Sequence, residues 1–139
     1  MENLFITLKN SIHGDILTDE YSLGMYATDA SIYQIKPLAI VIPKNIEDVK
    51  TVLKKAYDND ITILPRGAGT SLAGQTVGKS IILDFSKYMN AILEINEAEK
   101  WVRVQPGLAR DDLNAVLEPF GLHFAPDPAT SSRANVGGM

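Results

Sequence analysis

Cysteine is missing from all 139 residues, which excludes disulfides, thiolate metal sites and a cysteine nucleophile within this chain. Its absence also fits a reducing compartment. Histidine is scarce. His13 and His123 lie far apart, with no metal-like spacing to a carboxylate, so no metal site is expected. Positive charge is in short supply: 13 Lys and Arg against 17 Asp and Glu leave a net charge of −4. With no basic cluster either, neither nucleic acid nor an anionic membrane surface is expected as the main partner. The longest uninterrupted apolar stretch, LAIVI at 38–42, falls far short of the roughly 20 residues a membrane-spanning helix needs. The opening residues MENLFITLKNSIHG lack the basic start and long apolar core of a secretory signal. The expectation is a cytoplasmic chain that does not span a membrane. What is present is a 45% hydrophobic content with 22% charged residues, enough to build the core of about one domain.

Apolar spacing divides that content into elements. Leu4, Phe5, Leu8 and Ile12 suggest a short amphipathic helix over 2–13. Residues 15–37 have no period and read as ordered but irregular. The run 38–42 reads as a buried strand ended by Pro43. Asn45 can cap a helix whose stripe is Ile46, Val49, Val52, Leu53, Ala56 and Tyr57. Asn59, which tolerates left-handed geometry, is expected to stop it. Residues 61–64 form the next strand, so this strand–helix–strand unit should place two parallel strands. Residues 80–84 are a third strand. Residues 91–95 and 101–105 read as a hairpin around 96–99, with Val102 and Val104 facing one way. Leu113, Val116, Leu117 and Phe120 mark a second helix, ended near Pro119 and Gly121.

The stretch RGAGTSLAGQT, 66–76, sits directly behind the 61–64 strand, at the end of a parallel strand where open sheets gather ligands. Its glycines let backbone N–H groups turn inward in a row, forming an anion nest. Thr70 and Ser71 offer hydroxyls and Arg66 a permanent positive charge. The ordinary alternative is a glycine-rich surface turn. Neither familiar phosphate fingerprint fits. GTSLAGQT, 69–76, has Gln75 where a P-loop needs Lys, and only 75–79 separate it from the next strand. Gly67 and Gly69 open a dinucleotide pattern, but Leu72 stands at its third glycine. The expectation is a phosphate nest with no helix behind it.

Two other stretches invite a ligand. Pro126, Asp127 and Pro128 fix an extended path, and Thr130, Ser131 and Ser132 follow with hydroxyls. Asn135, Gly137 and Gly138 form a small-residue turn where a backbone can approach something closely. Each reads equally well as a plain connection. YATDASIY, 26–33, reads more as a pin for the N-terminal segment than as part of a site. Asp111 and Asp112 read as helix-start charge and Trp101 as packing. No Ser/His/Asp arrangement is visible, so no catalytic residue is assigned.

Taken in order, PRGAGTSLAGQ, ILDFSKYMNAIL, VQPG and PDPATSSRANVGGM resemble the FAD-binding domain of the vanillyl-alcohol oxidase and p-cresol methylhydroxylase type. Within it the chain is most similar to the branch of glycolate oxidase flavoprotein subunits and D-lactate dehydrogenases. The resemblance runs from about Thr18 to the last residue, and PRGAGTSLAGQ is its most specific motif. It implies an α+β fold of two α/β subdomains, with FAD between them. The small strand–helix–strand unit is the first subdomain, and the second, a mixed sheet, is only begun. It implies that Arg66, Gly67, Ala68, Gly69, Thr70 and Ser71 cradle the FAD pyrophosphate through backbone amides, with Pro65, Gly74 and Gln75 also among the cofactor-binding residues. Pro126, Asp127, Pro128, Thr130, Ser131 and Ser132, with Asn135, Gly137 and Gly138, would line the ribityl and flavin side. Relatives with covalent flavin carry a His in this loop. Ala68, Gly69 and Thr70 stand there instead, so FAD is expected to be non-covalent. Ala68 replaces a commoner Gly, at an expected mild cost if φ is positive there.

The resemblance further implies residues 1–36 as an N-terminal helix and irregular segment, and 37–139 as an incomplete FAD-binding domain. Gly137-Gly138-Met139 reads as a loop about to enter another element, so the chain is expected to be truncated, with its substrate domain and catalytic base absent. The full-length protein would oxidise a small 2-hydroxy acid such as glycolate or D-lactate by hydride transfer to FAD, and this portion alone would be inactive. The alternatives are a non-catalytic nucleotide- or phosphate-binding module and a stand-alone interaction domain.

Overall fold

An apolar run without alternation needs cover on both faces, and two such runs shape the first half of the chain. The computed structural model describes residues 2–139; residue 1, the start of the expected N-terminal segment, lies outside them. Strands β1 (Asp15–Leu17), β2 (Ala39–Ile42), β3 (Ile63–Arg66) and β4 (Ile81–Asp84) form one sheet in the order β1-β2-β4-β3. β2 and β4 are buried along their whole length. Ala39, Val41, Ile81 and Leu83 pack toward Leu8 of helix α1 (Glu2–Lys9) and toward Val52 and Ala56 of α3 (Ile46–Asp58). Ile40, Ile42 and Ile82 pack with Leu23 of α2 (Glu20–Met25).

β2 and β3 run parallel as expected, but they are not neighbours. β4 lies between them and pairs with both in parallel. β3 is therefore an edge strand, which tolerates Pro65 and its missing N–H. The strand also starts and ends two residues later than the apolar run suggests, so Arg66 belongs to it, opposite Asp84.

Asn45 caps α3, its Oδ1 accepting from Asp48 N at 2.8 Å. The Asp48 carboxylate in turn accepts from the backbone N–H groups of His13 and Lys44, both at 2.9 Å. Burial pushes this carboxyl up, but the backbone donors outweigh burial and hold it below the usual range. At the other end the left-handed residue is Asp60 (φ 55°), not Asn59, whose side chain caps the Lys55 carbonyl at 2.8 Å. α1 stops at Lys9, short of Ile12. The segment read as irregular holds both β1 and α2, elements too short to show a period.

The second sheet is the antiparallel hairpin β5 (Ile92–Asn96) and β6 (Trp101–Val104). Helix α4 (Arg110–Leu117) covers one face of it. Leu108, Leu113 and Leu117 pack there against Ile92, Ile95, Val102 and Val104. A 3-10 turn, Glu118–Phe120, and the left-handed Gly121 end α4. Residues 134–137 return along 106–110: Arg110 N donates to Ala134 O, Val136 N to Leu108 O and Gly137 N to Pro106 O. Two small α/β units result, the α+β arrangement expected. No helix among the described residues is long and apolar enough to cross a membrane.

Candidate functional site

Parallel neighbours need a crossover of about a dozen residues, usually a helix. β3 and β4 are joined by residues 67–80 with no helix at all. A helix would pair its own amides. Here no acceptor among the described residues takes the N–H groups of residues 67–72. Beyond them the donors are engaged: Ala73 N and Gln75 N reach Ser71 Oγ at 3.2 and 3.3 Å, and Thr76 N reaches Asp29 at 3.4 Å. The loop thus presents a half-buried row of donors at the end of the sheet. Gly69 (φ 70°) and Gly74 (φ 77°) make its two left-handed turns. Ala68 is not in that conformation, so the expected cost of replacing a Gly there does not arise.

Arg66 points its guanidinium back into the protein. Nη1 donates to Thr76 O at 3.0 Å and Tyr26 O at 3.3 Å, and Nη2 to Thr28 O at 2.8 Å. The group also lies over the Tyr26 ring, 5.1 Å from its centroid. Asp29 accepts from Thr76 Oγ1 at 3.0 Å and Ser31 N at 2.9 Å. Burial raises the Asp29 pKa, but these bonds together bring it below the usual carboxylate value. Tyr26 donates its hydroxyl to Asp84 at 2.5 Å. Burial first, and then that bond to a carboxylate, push the phenol well above its ordinary value, so it stays a neutral donor.

YATDASIY thus pins its own segment, as the sequence suggested, and what it is pinned to is the glycine loop. Tyr26, Thr28, Asp29, Ala30, Tyr33 and Thr76 are the residues that sequence reasoning left out of the site. The available signal was a Tyr-Asp-Ser-Tyr cluster without hydrophobic period.

The second stretch is arranged differently. Pro126 O accepts from Arg110 Nε at 3.0 Å, Asp127 pairs with Arg110 at 3.2 Å, and Ser131 Oγ donates to Asp111 at 3.0 Å. Thr130 O accepts from both Arg133 N and Ala134 N at 2.8 Å. Pro128 and Ser132 make no side-chain bond among the described residues. This stretch sits on the start of α4, and its hydrogen bonds run there rather than to 66–76.

Asn135 joins the two units. Its Nδ2 donates to Gly107 O at 2.7 Å, which fixes the amide, and its Oδ1 faces Gly67. A Cβ at Gly67 would collide with that oxygen. Oδ1 is buried and has no partner among the described residues. Gly137 follows against Pro106, while Gly138 faces open space. The structure therefore brings Gly67 and Asn135 together, with a row of free donors on one side and an unpaired acceptor between. Such a surface suits a ligand that is anionic at one point and can donate a hydrogen bond at another.

Comparison with known proteins bears on which ligand. The sequence model of a family described as "FAD binding domain" matches residues 37–139. The D-2-hydroxyglutarate dehydrogenase of Haemophilus influenzae is 47% identical over 130 residues, 91% of this chain and 13% of that protein. The glycolate oxidase subunit GlcD of Escherichia coli (strain K12) is 31% identical over 140 residues, 98% of this chain and 28% of that protein. The chain thus spans about 13% of the length of its D-2-hydroxyglutarate dehydrogenase relative and 28% of that of GlcD. Among solved structures, an alkyldihydroxyacetonephosphate synthase superposes with a TM-score of 0.87 at 20% identity, covering 99% of this chain and 28% of its own. The 4-ethylphenol oxidase of Gulosibacter chungangensis superposes at 0.83 and 24% identity, covering the same shares. At these identities the two structures speak to the fold alone.

Proposed function

The chain belongs to the FAD binding domain family, and from that premise we propose that residues 66–76 hold the FAD pyrophosphate in a protein that oxidises a small D-2-hydroxy acid. The observation that carries the reading is the row of unaccepted amides at 67–72. The residues present fit the group. Gly67, Ala68, Gly69, Thr70 and Ser71 supply donors to a diphosphate without a helix or a Lys behind them. Gly74 and Gln75 close the loop, and Pro65 leads into it on the edge strand. Asn135 Oδ1 offers an acceptor beside it, and Thr130, Ser131, Ser132, Gly137 and Gly138 continue the wall toward the ribityl and flavin side. Pro126, Asp127 and Pro128 set the course of that wall.

Bound FAD would supply a two-electron acceptor for converting the hydroxy acid to its 2-oxo acid. Loop 66–76 has no His, so attachment is non-covalent. No residue of this chain is assigned a catalytic role, and residues 1–139 are not expected to turn over substrate alone. Higher identity to a D-2-hydroxyglutarate dehydrogenase than to GlcD favours a substrate with a second carboxylate. We place the domain at 37–139, with 1–36 as an N-terminal addition, and the protein in the cytoplasm with no nucleic-acid partner, consistent with its net charge of −4.

The test is to purify the full-length protein with added FAD, record flavin absorbance, and add D-2-hydroxyglutarate, D-lactate or glycolate without oxygen. Retained flavin that is released on denaturation and bleached by one of the acids is the expected result. Absence of flavin would sink the cofactor reading. Flavin that no 2-hydroxy acid bleaches would remove the substrate class and leave the fold.

A further inference from the structure

Resting on the reading of 66–76 as the pyrophosphate cradle, we infer that residues 26–33 are a strap that holds the cradle open, and that Arg66 is a positioning residue within it. On this view Arg66 is not the charge that meets the phosphate. The strap lies ahead of the region the family model matches, which begins at residue 37.

Three fixed points define the loop's course: Gly69, Gly74 and Thr76. Each has a partner in the strap. Ala30 N donates to Gly69 O at 3.0 Å. The Tyr33 ring lies against Gly74, where a Cβ would come within 2.6 Å of it. The Asp29 carboxylate takes both the hydroxyl and the amide of Thr76. Arg66 ties strap and loop together through Tyr26 O, Thr28 O and Thr76 O, and a Cβ at residue 69 would come within 2.6 Å of its Nη2. The start of the strap is tied to the end of β4 by the Tyr26–Asp84 bond. Between the fixed points, the amides of residues 70–72 donate to none of these partners, so they stay presented.

Two features decide between positioning and direct charge. A planar guanidinium can serve three carbonyls from different segments at once, and a lysine ammonium cannot reproduce that fan. If Arg66 acted chiefly by charge on the ligand, Lys would serve nearly as well. Asp29 is a carboxylate beside a site for a dianion. By Coulomb's law alone its removal should tighten anion binding. As an anchor for Thr76, its removal should loosen the cradle and weaken binding. The two accounts predict opposite signs.

The experiment uses the full chain, stripped of cofactor and titrated with FAD by flavin fluorescence. Circular dichroism and thermal melting check the fold of Asp29→Ala, Arg66→Lys and Tyr33→Ala. Amide hydrogen exchange over 67–76 is read without FAD. We expect Asp29→Ala to weaken FAD binding by about tenfold or more, with faster exchange in the loop and a cooperative melt retained at a somewhat lower temperature. Arg66→Lys should fail to restore binding. Tighter or unchanged binding in Asp29→Ala, or wild-type binding in Arg66→Lys, would overturn the inference. If the unmodified protein binds no FAD, the cofactor reading fails instead, and the exchange arm alone decides the strap: unchanged exchange in Asp29→Ala disposes of it. Should Asp29→Ala not fold, the half-exposed Tyr33 supplies the same decision through Tyr33→Ala, by faster exchange at 74–76 or its absence.

Discussion

Residues 66–76 and 126–138 are alike in composition, both rich in Gly, Ala, Ser and Thr, and differ in what holds them in place. The tail is tied down within its own unit, although the amides of 127 and 129–132 have no acceptor among the described residues and Asn135 Oδ1 is unpaired. Thr130 O takes two amides, Arg110 holds Pro126 O, and 134–137 pair with 106–110. The loop also leaves a row of amides unanswered, at 67–72, but has its turns held from outside by 26–33. What sets the loop apart is that its free amides lie between turns fixed by another segment, 26–33, and beside the unpaired Asn135 Oδ1.

The strongest way to break this contrast is at the place where the two stretches meet. Gly67→Ala drives a methyl into Asn135 Oδ1 and should cost about 1–3 kcal/mol by overpacking, with FAD retention lost. Asn135→Ala leaves the Gly107 carbonyl without its donor and should cost about 1–2 kcal/mol. Because Asn135→Ala also removes the obstacle to the methyl, the double variant should be less destabilised than the sum. Strict additivity in denaturant melts would show that the two residues are not in contact.

Acid probes the carboxylates that hold the first unit. Asp29 and Asp48 both lie below the ordinary carboxylate value when folded. Their contribution is therefore complete above their unfolded value of about 3.9, and it is lost as pH falls through the lower folded values. Stability measured from pH 6 downward should hold to about pH 4 and then decline. Asp29→Asn should flatten part of that decline; an unaltered profile would count against Asp29 as an anchor.

Smaller effects are expected in the tail. Arg110→Ala removes bonds to Pro126 O, Asp111 and Asp127, but Asp127 is 77% exposed. A loss of about 1 kcal/mol or less is expected, with FAD affinity changing less than in any loop variant. A larger effect on FAD than that of Asp29→Ala would reverse the ranking of the two stretches. Smallest of all is Gly138→Ala. A Cβ there meets nothing and φ is ordinary, so stability should stay within about 0.5 kcal/mol.

Much of this was legible in the sequence because it is local. The uninterrupted run at 39–42, the helical stripe behind Asn45 and the alternation at 101–104 each follow from a spacing of one to four residues. The glycine loop was legible as a nest for the same reason, and its missing Lys and missing helix were both visible. What was hidden depends on distance along the chain. Nothing near Ile63 shows that β4 will slip between β2 and β3, because strand order is chosen by which faces can be covered together. β1 and α2 are too short to announce themselves by period. Arg66 looked like a ligand for phosphate because its nearest residues are glycines. Its partners at 26 and 28 lie about forty residues back.

The sequence by itself determined most of the elements, their amphipathic faces and the loop able to present amides, since these rest on backbone freedom and short-range hydrophobic period, while the FAD binding domain family was legible in it as a resemblance carried by motifs in order. Only the tertiary structure decided which amides remain unpaired, that Asn135 stands over Gly67, and that Arg66 turns inward to three carbonyls. Those outcomes depend on which long-range partners remain once the sheet has closed around β4, and short-range spacing carries no record of that choice.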